Sequence, residues 1–456
     1  MDSNNRRNHY TYGLGTIGRD MIYALISMYL MYFLTDILDL STGTLWWITG
    51  IILFARVFDA LNDPVMGIIV DNTEHRYGKF KPWIARGAFL SGILTILLFT
   101  DFGLKGPAFV VLFFFLYLGW GLTYTANDIA YWSMLPSLTL DQKEREKMGA
   151  FARICANIGL FSVVAGIVPL TNALGAKLGS MTKAYFVFVL ICVLIMWAGQ
   201  SITLFGVKEP RNVFNRDKAT PLKELFSVIV KNDQLLFVAL SMSLFMIGYV
   251  TTTSFGLYYF KYAYGNEDMY GVFALVLGVS QLAALALFPL FSKFFTRRQL
   301  YTGGTVFIVI GYILFFLSPM KILYIGISGI LLFFGQAFIQ LLILMFLADT
   351  IEYGQWKLGR RNESITFSLQ PFINKIGGAV GSGVVGAVVI LSGIAEAKGP
   401  EDVTPEGLWM MKSAMLLFPP FIILISYFIY RFKYKIDKDM YEKILGDLKE
   451  RGELNI

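Results

Sequence analysis

Long apolar runs alternate with short polar segments from residue 10 to residue 432. Each run is close to the length of about 20 residues that a helix needs to cross a bilayer, and it is longer than a strand of a membrane barrel. The pattern therefore predicts twelve membrane-spanning helices. The predicted spans cover residues 10–38, 45–70, 83–101, 107–136, 149–174, 184–206, 235–262, 270–293, 300–318, 322–349, 365–394 and 408–432.

The longest polar stretch lies near the middle of the chain and divides the predicted spans into two groups of six. We predict an all-α integral membrane protein with four parts. They are an N-terminal six-helix half at 1–206, a middle loop at 207–233, a C-terminal six-helix half at 234–432 and a tail at 433–456.

Composition supports a membrane protein. Hydrophobic residues make up 56% of the 456 residues and charged residues 16%, against roughly 45–50% and about 25% in soluble proteins. This balance excludes a disordered chain and an ordinary soluble enzyme, and the 2 cysteines exclude a disulfide scaffold. The chain has no glycine-rich phosphate-binding loop and no His/Cys cluster, so we expect no nucleotide and no resident cofactor.

The basic residues predict an orientation. Most of the 39 lysine and arginine residues lie at the two termini and in the loops that follow even-numbered spans. Because basic loops stay on the cytoplasmic side of a membrane, we predict that both termini are cytoplasmic. The net charge of +7 then requires no nucleic-acid partner. The expected surroundings are a lipid bilayer, with no obligatory protein partner.

Charged residues within the spans are candidates for function, because an ionisable group in lipid is costly. The second span contains Arg56, Asp59, Asn62 and Asp63, and helical spacing places Arg56, Asp59 and Asp63 on one face. Two carboxylates one turn apart repel each other unless positive charge lies between them. A bound Na⁺ or Li⁺ would supply that charge, and a proton on one carboxylate would also relieve the repulsion. The alternative is a structural salt-bridge cluster with Arg56.

A second set of polar residues lies in other spans. On the fourth span, Asp128 and Trp132 are one turn apart on the same helix face. A carboxylate beside an indole suits a sugar, since the carboxylate accepts hydroxyl hydrogen bonds and the ring covers an apolar sugar face. A packing role is the alternative for Trp132. The remaining members of the set are Arg19, Asp20, Tyr124, Thr125, Arg153, Gln370 and Lys375.

The charges of these residues balance. If they converge on one cavity, the cavity is close to neutral when empty, and a monovalent cation makes it positive. The acidic members are Asp20, Asp59, Asp63 and Asp128, and the basic members are Arg19, Arg56, Arg153 and Lys375.

The second span and the loop after it resemble a known family. The segment Arg56-Val-Phe-Asp59-Ala-Leu-Asn62-Asp63-Pro64, followed by Gly67…Asp71 and Arg76-Tyr-Gly78-Lys79-Phe80-Lys81-Pro82-Trp83, is similar to the glycoside–pentoside–hexuronide:cation symporters. These form the melibiose-carrier branch of the major facilitator superfamily. Gly18-Arg19-Asp20, Tyr124-Thr125 with Asp128…Trp132, and Arg145-Glu146 ahead of Arg153 agree as well.

The resemblance implies the major facilitator fold and a role for each matching residue. The implied monovalent-cation site consists of Asp59, Asn62, Asp63 and Thr125. Asp20 and Asp128 match the two sugar-binding carboxylates, and Trp132 matches the ring that stacks on the sugar. The other implied substrate-binding residues are Arg19, Tyr124, Arg153, Gln370 and Lys375. The implied gating or structural residues are Arg56, Gly67, Asp71, Arg76, Gly78 and Lys79.

The implied function is symport across a bacterial cytoplasmic membrane, in which entry of Na⁺, Li⁺ or H⁺ drives uptake of a glycoside. The two halves would rock around a site near the midplane. Asp128 beside Trp132 favours a galactoside such as melibiose. Gln340 stands where the melibiose carriers have an aromatic residue, and Pro371 stands where they have Thr.

These two departures leave other substrates open. A pentoside or glucuronide carrier is the first alternative, and a non-sugar facilitator of the same fold is the second. The lactose carriers of this family often end in an additional soluble domain, and we expect none after the last span here.

Overall fold

The computed structural model describes residues 3–208, 225–266, 269–394, 397 and 399–454. Among these residues, 12 helices are long and apolar enough to cross a membrane, and no β-strand is present. The prediction of twelve spans is confirmed. Numbered in chain order, spans 1 to 12 are Arg6–Thr35, Thr42–Asp71, Lys81–Leu98, Pro107–Leu138, Gln142–Leu178, Met181–Gly206, Asp233–Tyr264, Met269–Phe294, Arg297–Leu317, Ile322–Leu358, Glu363–Leu391 and Pro405–Lys433.

Three spans are composed of more than one helical segment. Span 1 and the residues that flank it comprise the α-helices Ser3–Leu14, Thr16–Ala24 and Leu30–Tyr32 and the π-helical turns Leu25–Tyr29 and Phe33–Ile37. Span 7 joins Asp233–Tyr258 to the π-helical turn Tyr259–Tyr264, and span 12 joins Pro405–Leu416 to Phe418–Lys433. Helices outside the spans are Leu225–Lys231, Lys438–Glu450 and the 3₁₀ turn Pro400–Asp402.

The chain divides into two compact units. Unit 1 comprises Met1–Leu225, Asn362–Ser368 and Leu454–Ile456, and unit 2 comprises Phe226–Arg361 and Leu369–Glu453. Spans 1 to 6 therefore belong to unit 1, together with the first residues of span 11. Most of the predicted middle loop 207–233 lies outside the described residues.

Some helices extend beyond the predicted apolar runs. Span 5, predicted at 149–174, runs from Gln142 to Leu178, and the carboxylate of Asp141 accepts the Glu144 backbone N–H at 2.9 Å. Such an N-cap satisfies one of the free N–H groups of the first turn. Span 10, predicted at 322–349, continues to Leu358. The apolar run marks the part of a helix that suits lipid, whereas capping and hydrogen bonding decide where the helix ends.

Glycines hold span 1 close to its neighbours in unit 1. A Cβ atom on Gly18 would lie 2.2 Å from Met196 Cα of span 6, and one on Gly159 of span 5 would lie 2.0 Å from Ile17 O. Only a residue without a side chain fits at either contact. This close packing fixes the part of span 1 that carries Arg19.

Candidate functional site

Arg19 links two aspartates within unit 1. Its Nη2 atom lies 3.0 Å from Asp20 Oδ2, and its Nη1 atom lies 3.0 Å from Asp128 Oδ1 on span 4. The Arg19 side chain is 3% exposed, whereas the two carboxylates are 19% and 23% exposed. The guanidinium therefore neutralises both carboxylates from the buried side, and the carboxylates keep an accessible edge for a ligand.

Two arginines flank the indole of Trp132. The Arg153 guanidinium carbon lies 4.5 Å from the centre of the Trp132 ring, and that of Arg19 lies 5.1 Å from it. These are cation–π distances. Trp132 is 5% exposed, and Tyr12 packs edge-on against it with ring centres 6.4 Å apart. In this arrangement the indole orients the two cations, and a sugar that stacked on it would have to displace one of them.

Aromatic side chains continue the site along span 4. Tyr124 stacks on Trp120 of the same span at 5.1 Å between ring centres, and on Tyr23 of span 1 at 5.9 Å. Tyr23 is 48% exposed. The exposed Tyr23 ring offers an apolar face and a phenol hydroxyl, whereas the Tyr124 ring is stacked on two neighbouring rings. Tyr124 was predicted as a substrate-binding residue, and Tyr23 was not.

A buried hydrogen-bond network holds the helices that carry these groups. Asn127 Nδ2 donates to Ile84 O at 2.9 Å and to Gln200 Oε1 at 3.0 Å. Gln200 Nε2 donates in turn to Gly15 O at 2.7 Å. Spans 1, 3, 4 and 6 are thus tied together directly beside Asp128. Interhelical hydrogen bonds of this kind stabilise helix packing within a membrane.

The residues of the predicted cation site lie on spans 2 and 4, which pack against each other. Asp63 is fully buried, Thr125 is 7% exposed, and Asp59 and Asn62 are partly exposed. The carboxylate of Asp59 abuts Gly121, because a Cβ atom there would lie 2.9 Å from Oδ1. Gly121 is one turn before Thr125 on span 4. The structure therefore brings Asp59 to the face of span 4 that carries Thr125.

The chemistry of this set suits a small monovalent ion. Two carboxylates, one amide and one hydroxyl supply hard oxygen ligands without a thiolate or imidazole. Within the described part of the chain, no group of three His, Cys, Asp or Glu side chains is arranged to hold a metal ion. The Nδ2 atom of Asn62 is buried and has no hydrogen-bond partner among the described residues.

The loop between spans 2 and 3 joins a network in unit 1. Lys79 Nζ lies 3.1 Å from Asp71 Oδ1 and 2.7 Å from Glu363 Oε2. The two carboxylate oxygens of Asp71 each accept a backbone N–H at 2.9 Å, from Ser364 and from Ile365. Asp71 thereby caps the first turn of the helix that begins at Glu363, where helix N–H groups favour negative charge.

The remaining four predicted gating or structural residues lie in environments that differ from one another. Gly67 is in close contact with Ser364, since a Cβ atom would lie 2.7 Å from Ser364 O, and Gly78 has φ of 98°, a conformation that favours glycine. Arg76 is exposed and lies over the Tyr77 ring at 4.6 Å. Arg56 is exposed as well, on the same helix face as the partly exposed Asp59.

Lys79 is expected to stabilise unit 1 across the physiological pH range. Burial acts to lower its pKa, but the charges of Asp71 and Glu363 outweigh burial and raise it. Because the pKa of Lys79 is raised, its ion pairs contribute their full stabilisation at every pH below the ordinary lysine pKa of about 10.4. That stabilisation is lost only as the pH rises through the raised pKa. Lys79→Met should lower the free energy of unfolding by about 2 kcal/mol, equally at about pH 6 and about pH 9.

Thermal unfolding of the purified protein measures this effect. Lys79→Arg, which retains the charge, is the control and should retain most of the stability. Equal unfolding temperatures for wild type and Lys79→Met would contradict the stabilising role of the network.

Gln370 and Lys375 belong to unit 2. Both lie on span 11, where Gln370 is 9% exposed and Lys375 is partly exposed. In unit 1 the structure brings together Arg19, Asp20, Asp128, Trp132 and Arg153. Sequence reasoning did not single out Gly121 or Glu363. Glu363 lies two residues before the predicted span 365–394, so its acidic side chain was only a weak local signal for a helix start, and Gly121 carries no chemical signal at all.

Among the described residues, twelve helices long and apolar enough to cross a membrane, with charged residues buried among them, are typical of a polytopic membrane transporter. The chain belongs to the MFS/sugar transport protein family, which matches it over residues 11–438. The resemblance to the glycoside–pentoside–hexuronide symporters is thereby confirmed, as are the major facilitator fold and the prediction that the protein is not an enzyme. It is a multi-pass bacterial membrane protein of the sugar-transport class.

Several characterised transporters are similar in sequence. The raffinose carrier protein of Pediococcus pentosaceus is 32% identical, and the alignment covers 96% of this chain and 70% of that protein. The lactose permease of Lactobacillus delbrueckii subsp. bulgaricus is 31% identical, with 96% and 72% covered. The isoprimeverose transporter of Lactiplantibacillus pentosus is 27% identical, with 84% and 80% covered.

A solved structure shares the fold. The Escherichia coli fucose:proton symporter superposes with a TM-score of 0.66 at 15% identity, and 95% of this chain and 98% of that chain are covered.

Proposed function

We propose that the protein is a symporter that couples inward flow of a monovalent cation to uptake of a galactoside by alternating access. The observation that supports this proposal most directly is the placement of Arg19 between Asp20 and Asp128. The arginine holds both carboxylates in place, and each carboxylate remains about one-fifth exposed. Carboxylates held in this way can accept hydrogen bonds from neighbouring sugar hydroxyls without a large desolvation cost.

The aromatic residues complete the proposed sugar site. The exposed Tyr23 ring would cover one side of the sugar, and the Trp132 ring would become available for stacking when the Arg153 guanidinium moves away from it. Arg153 would then be free to pair with a carboxylate or a sugar hydroxyl. The raffinose and lactose carriers among the relatives are consistent with a galactoside-containing substrate.

The proposed coupling ion is Na⁺, Li⁺ or H⁺, bound at Asp59, Asn62, Asp63 and Thr125. The contact of the Asp59 carboxylate with Gly121 supports this assignment, because it brings Asp59 to the face of span 4 that carries Thr125. Spans 2 and 4 carry the cation residues, and span 4 also carries Asp128. Ion binding that orders span 4 would therefore strengthen sugar binding, and linkage makes this effect reciprocal.

The proposed location is the bacterial cytoplasmic membrane, with both termini in the cytoplasm. The concentration of lysine and arginine in the termini and in the loops after even-numbered spans supports this orientation. The long helix ends of spans 5 and 10, which carry charged residues beyond the apolar runs, would then project toward the cytoplasm.

Counterflow in proteoliposomes tests the proposal. Proteoliposomes that contain the purified protein are loaded with unlabelled sugar. Uptake of labelled melibiose, lactose, raffinose, a xyloside or a glucuronide is then measured in Na⁺, in Li⁺ or with only H⁺ present. We expect exchange of the galactosides, stimulated at least about 5-fold by one of the cations. Exchange of only the xyloside or only the glucuronide would replace galactosides by that class. Absence of cation stimulation for every exchanged sugar would contradict symport.

A further inference from the structure

Two exposed arginines meet at one end of spans 9 and 12, which pack against each other in unit 2. Thr302 Oγ1 on span 9 and Tyr427 Oη on span 12 lie 3.1 Å apart, within hydrogen-bond distance. Arg298 is one turn before Thr302, and Arg431 is one turn after Tyr427. Arg298 Nη2 donates to the backbone carbonyl of Arg431 at 3.4 Å. Helix packing therefore brings these two residues, called the arginine pair, to the same place.

The positive charge of the arginine pair is not balanced by the helices that carry it. Residues 269–348, which include spans 8 and 9, contain no Asp or Glu, and residues 407–436 of span 12 and its end contain none either. The neighbouring Arg297 is paired with Asp349 and is 11% exposed. By contrast, no carboxylate among the described residues forms an ion pair with Arg298 or Arg431.

Capping of span 12 accounts for only part of this arrangement. The last carbonyl groups of a helix attract positive charge, and the bond from Arg298 to the Arg431 carbonyl satisfies one of them. A guanidinium group carries several N–H donors in a planar fork, so most of the donors of Arg298 are left over. The side chain of Arg431 adds a second fork, and both side chains are exposed. The arginine pair can therefore bind an anion.

Exposed apolar side chains adjoin the arginine pair. Phe428 and Phe432 lie on either side of Arg431 in the sequence of span 12, are 50% and 71% exposed, and stack with ring centres 6.0 Å apart. Phe294 and Phe295, between spans 8 and 9, are 76% and 46% exposed. Because a span ends where hydrocarbon meets the headgroups, these rings suit acyl chains, and long arginine side chains can extend to the headgroups.

The chemistry of this surface identifies its ligand. Arginine binds phosphate through parallel N–H groups, and basic sites between membrane helices hold the phosphate of lipid headgroups. We propose that the arginine pair binds the phosphate of an acidic phospholipid, whose acyl chains lie against Phe428 and Phe432. A free phosphate ion offers the same charge but no chains for the adjoining apolar surface. The inference goes beyond the proposed function, because it involves neither the sugar nor the coupling ion.

Lipid-dependent unfolding of the purified full-length protein tests this site. The protein in neutral detergent is titrated with dioleoyl phosphatidylglycerol, with dioleoyl phosphatidylcholine or with inorganic phosphate, and the rise in unfolding temperature gives an apparent affinity. Only phosphatidylglycerol should stabilise the protein strongly. Arg298→Gln and Arg431→Gln should each bind it about 5-fold more weakly, the usual contribution of one arginine beside an acidic headgroup.

Lys443→Gln is the matched control. Lys443 is an exposed basic residue of the helix Lys438–Glu450 in the same unit, so its substitution changes the net charge equally. This variant should bind phosphatidylglycerol as the wild type does. The unfolding temperature without lipid reports whether each variant is folded. Arg431→Gln retains the backbone carbonyl that accepts the bond from Arg298, so it keeps the test decisive if Arg298→Gln fails to fold.

Each contrary outcome has a separate meaning. Equal stabilisation by the two lipids, or equal stabilisation by inorganic phosphate, would overturn an acidic-lipid site. Unchanged affinity in both arginine variants, or the same loss in Lys443→Gln, would overturn the arginine pair as the place where the lipid binds. None of these results bears on sugar symport, because no sugar is present in the assay.

Discussion

Asp128→Asn is expected to weaken sugar binding by about 100-fold while the protein remains folded. The substitution removes a charged acceptor, and hydrogen bonds to charged groups contribute about 1.5–3 kcal/mol each. When Asp128 is neutral, Arg19 keeps its ion pair with Asp20. The guanidinium can then move toward Asp20 and occupy the carboxylate oxygen that would otherwise accept a sugar hydroxyl. Both effects reduce affinity in the same direction.

Equilibrium binding of labelled galactoside to purified protein measures this loss, and thermal unfolding in the same buffer reports whether the fold is retained. Asp101→Asn is the control, because Asp101 is an exposed residue beyond the end of span 3. Its affinity should equal that of wild type. Wild-type affinity in Asp128→Asn would remove Asp128 from the sugar site.

Asp59→Asn and Asp63→Asn are each expected to abolish cation-driven accumulation and to retain sugar exchange. A unit charge about 4 Å from a monovalent ion contributes about 4 kcal/mol near a protein surface, so removal of one carboxylate should weaken ion binding by at least about 100-fold. Sugar exchange should persist, because Asp20 and Asp128 are unchanged. Accumulation and exchange assays in the same vesicles separate the two activities.

Gly121 provides a sharper version of this test without a change of charge. In Gly121→Ala the new methyl group would lie 2.9 Å from Asp59 Oδ1, so the carboxylate must move and cation stimulation should fall. Gly119→Ala on the same helix meets Leu94 Cδ1 at 3.4 Å, an ordinary contact, and should behave as wild type. Retained coupling in Asp59→Asn, Asp63→Asn and Gly121→Ala would refute the cation site.

The positions of the spans could be predicted closely, because hydropathy is a local property that is summed over neighbouring residues. The first and last residues of the helices could not be predicted in this way, as span 5 illustrates. Its first turn contains charged residues that no apolar pattern marks, and the side chain of Asp141 sets its start. Span 1 shows the same limit, since its π-helical turns Leu25–Tyr29 and Phe33–Ile37 lie within an uninterrupted predicted helix.

The candidate sites, too, could be predicted only in part. Asp128 and Trp132 share a face by helical spacing alone, and the resemblance added Asp20 from another helix. Neither source of information indicated that Trp132 would be buried between two guanidinium groups. The contact of Asp59 with Gly121 was equally invisible, because a glycine has no chemical group that would point to an ion site.

By itself the sequence determined where the protein resides, how many times it crosses the membrane and which few ionisable residues lie within the spans. The tertiary structure decided which of those residues meet. Arg19 and Arg56 both precede aspartates on apolar helices, yet the Arg19 side chain is 3% exposed between two carboxylates, whereas Arg56 is exposed. Hydropathy is a sum over neighbouring residues, but ion pairing depends on the rotation and packing of whole helices, which only the folded chain fixes.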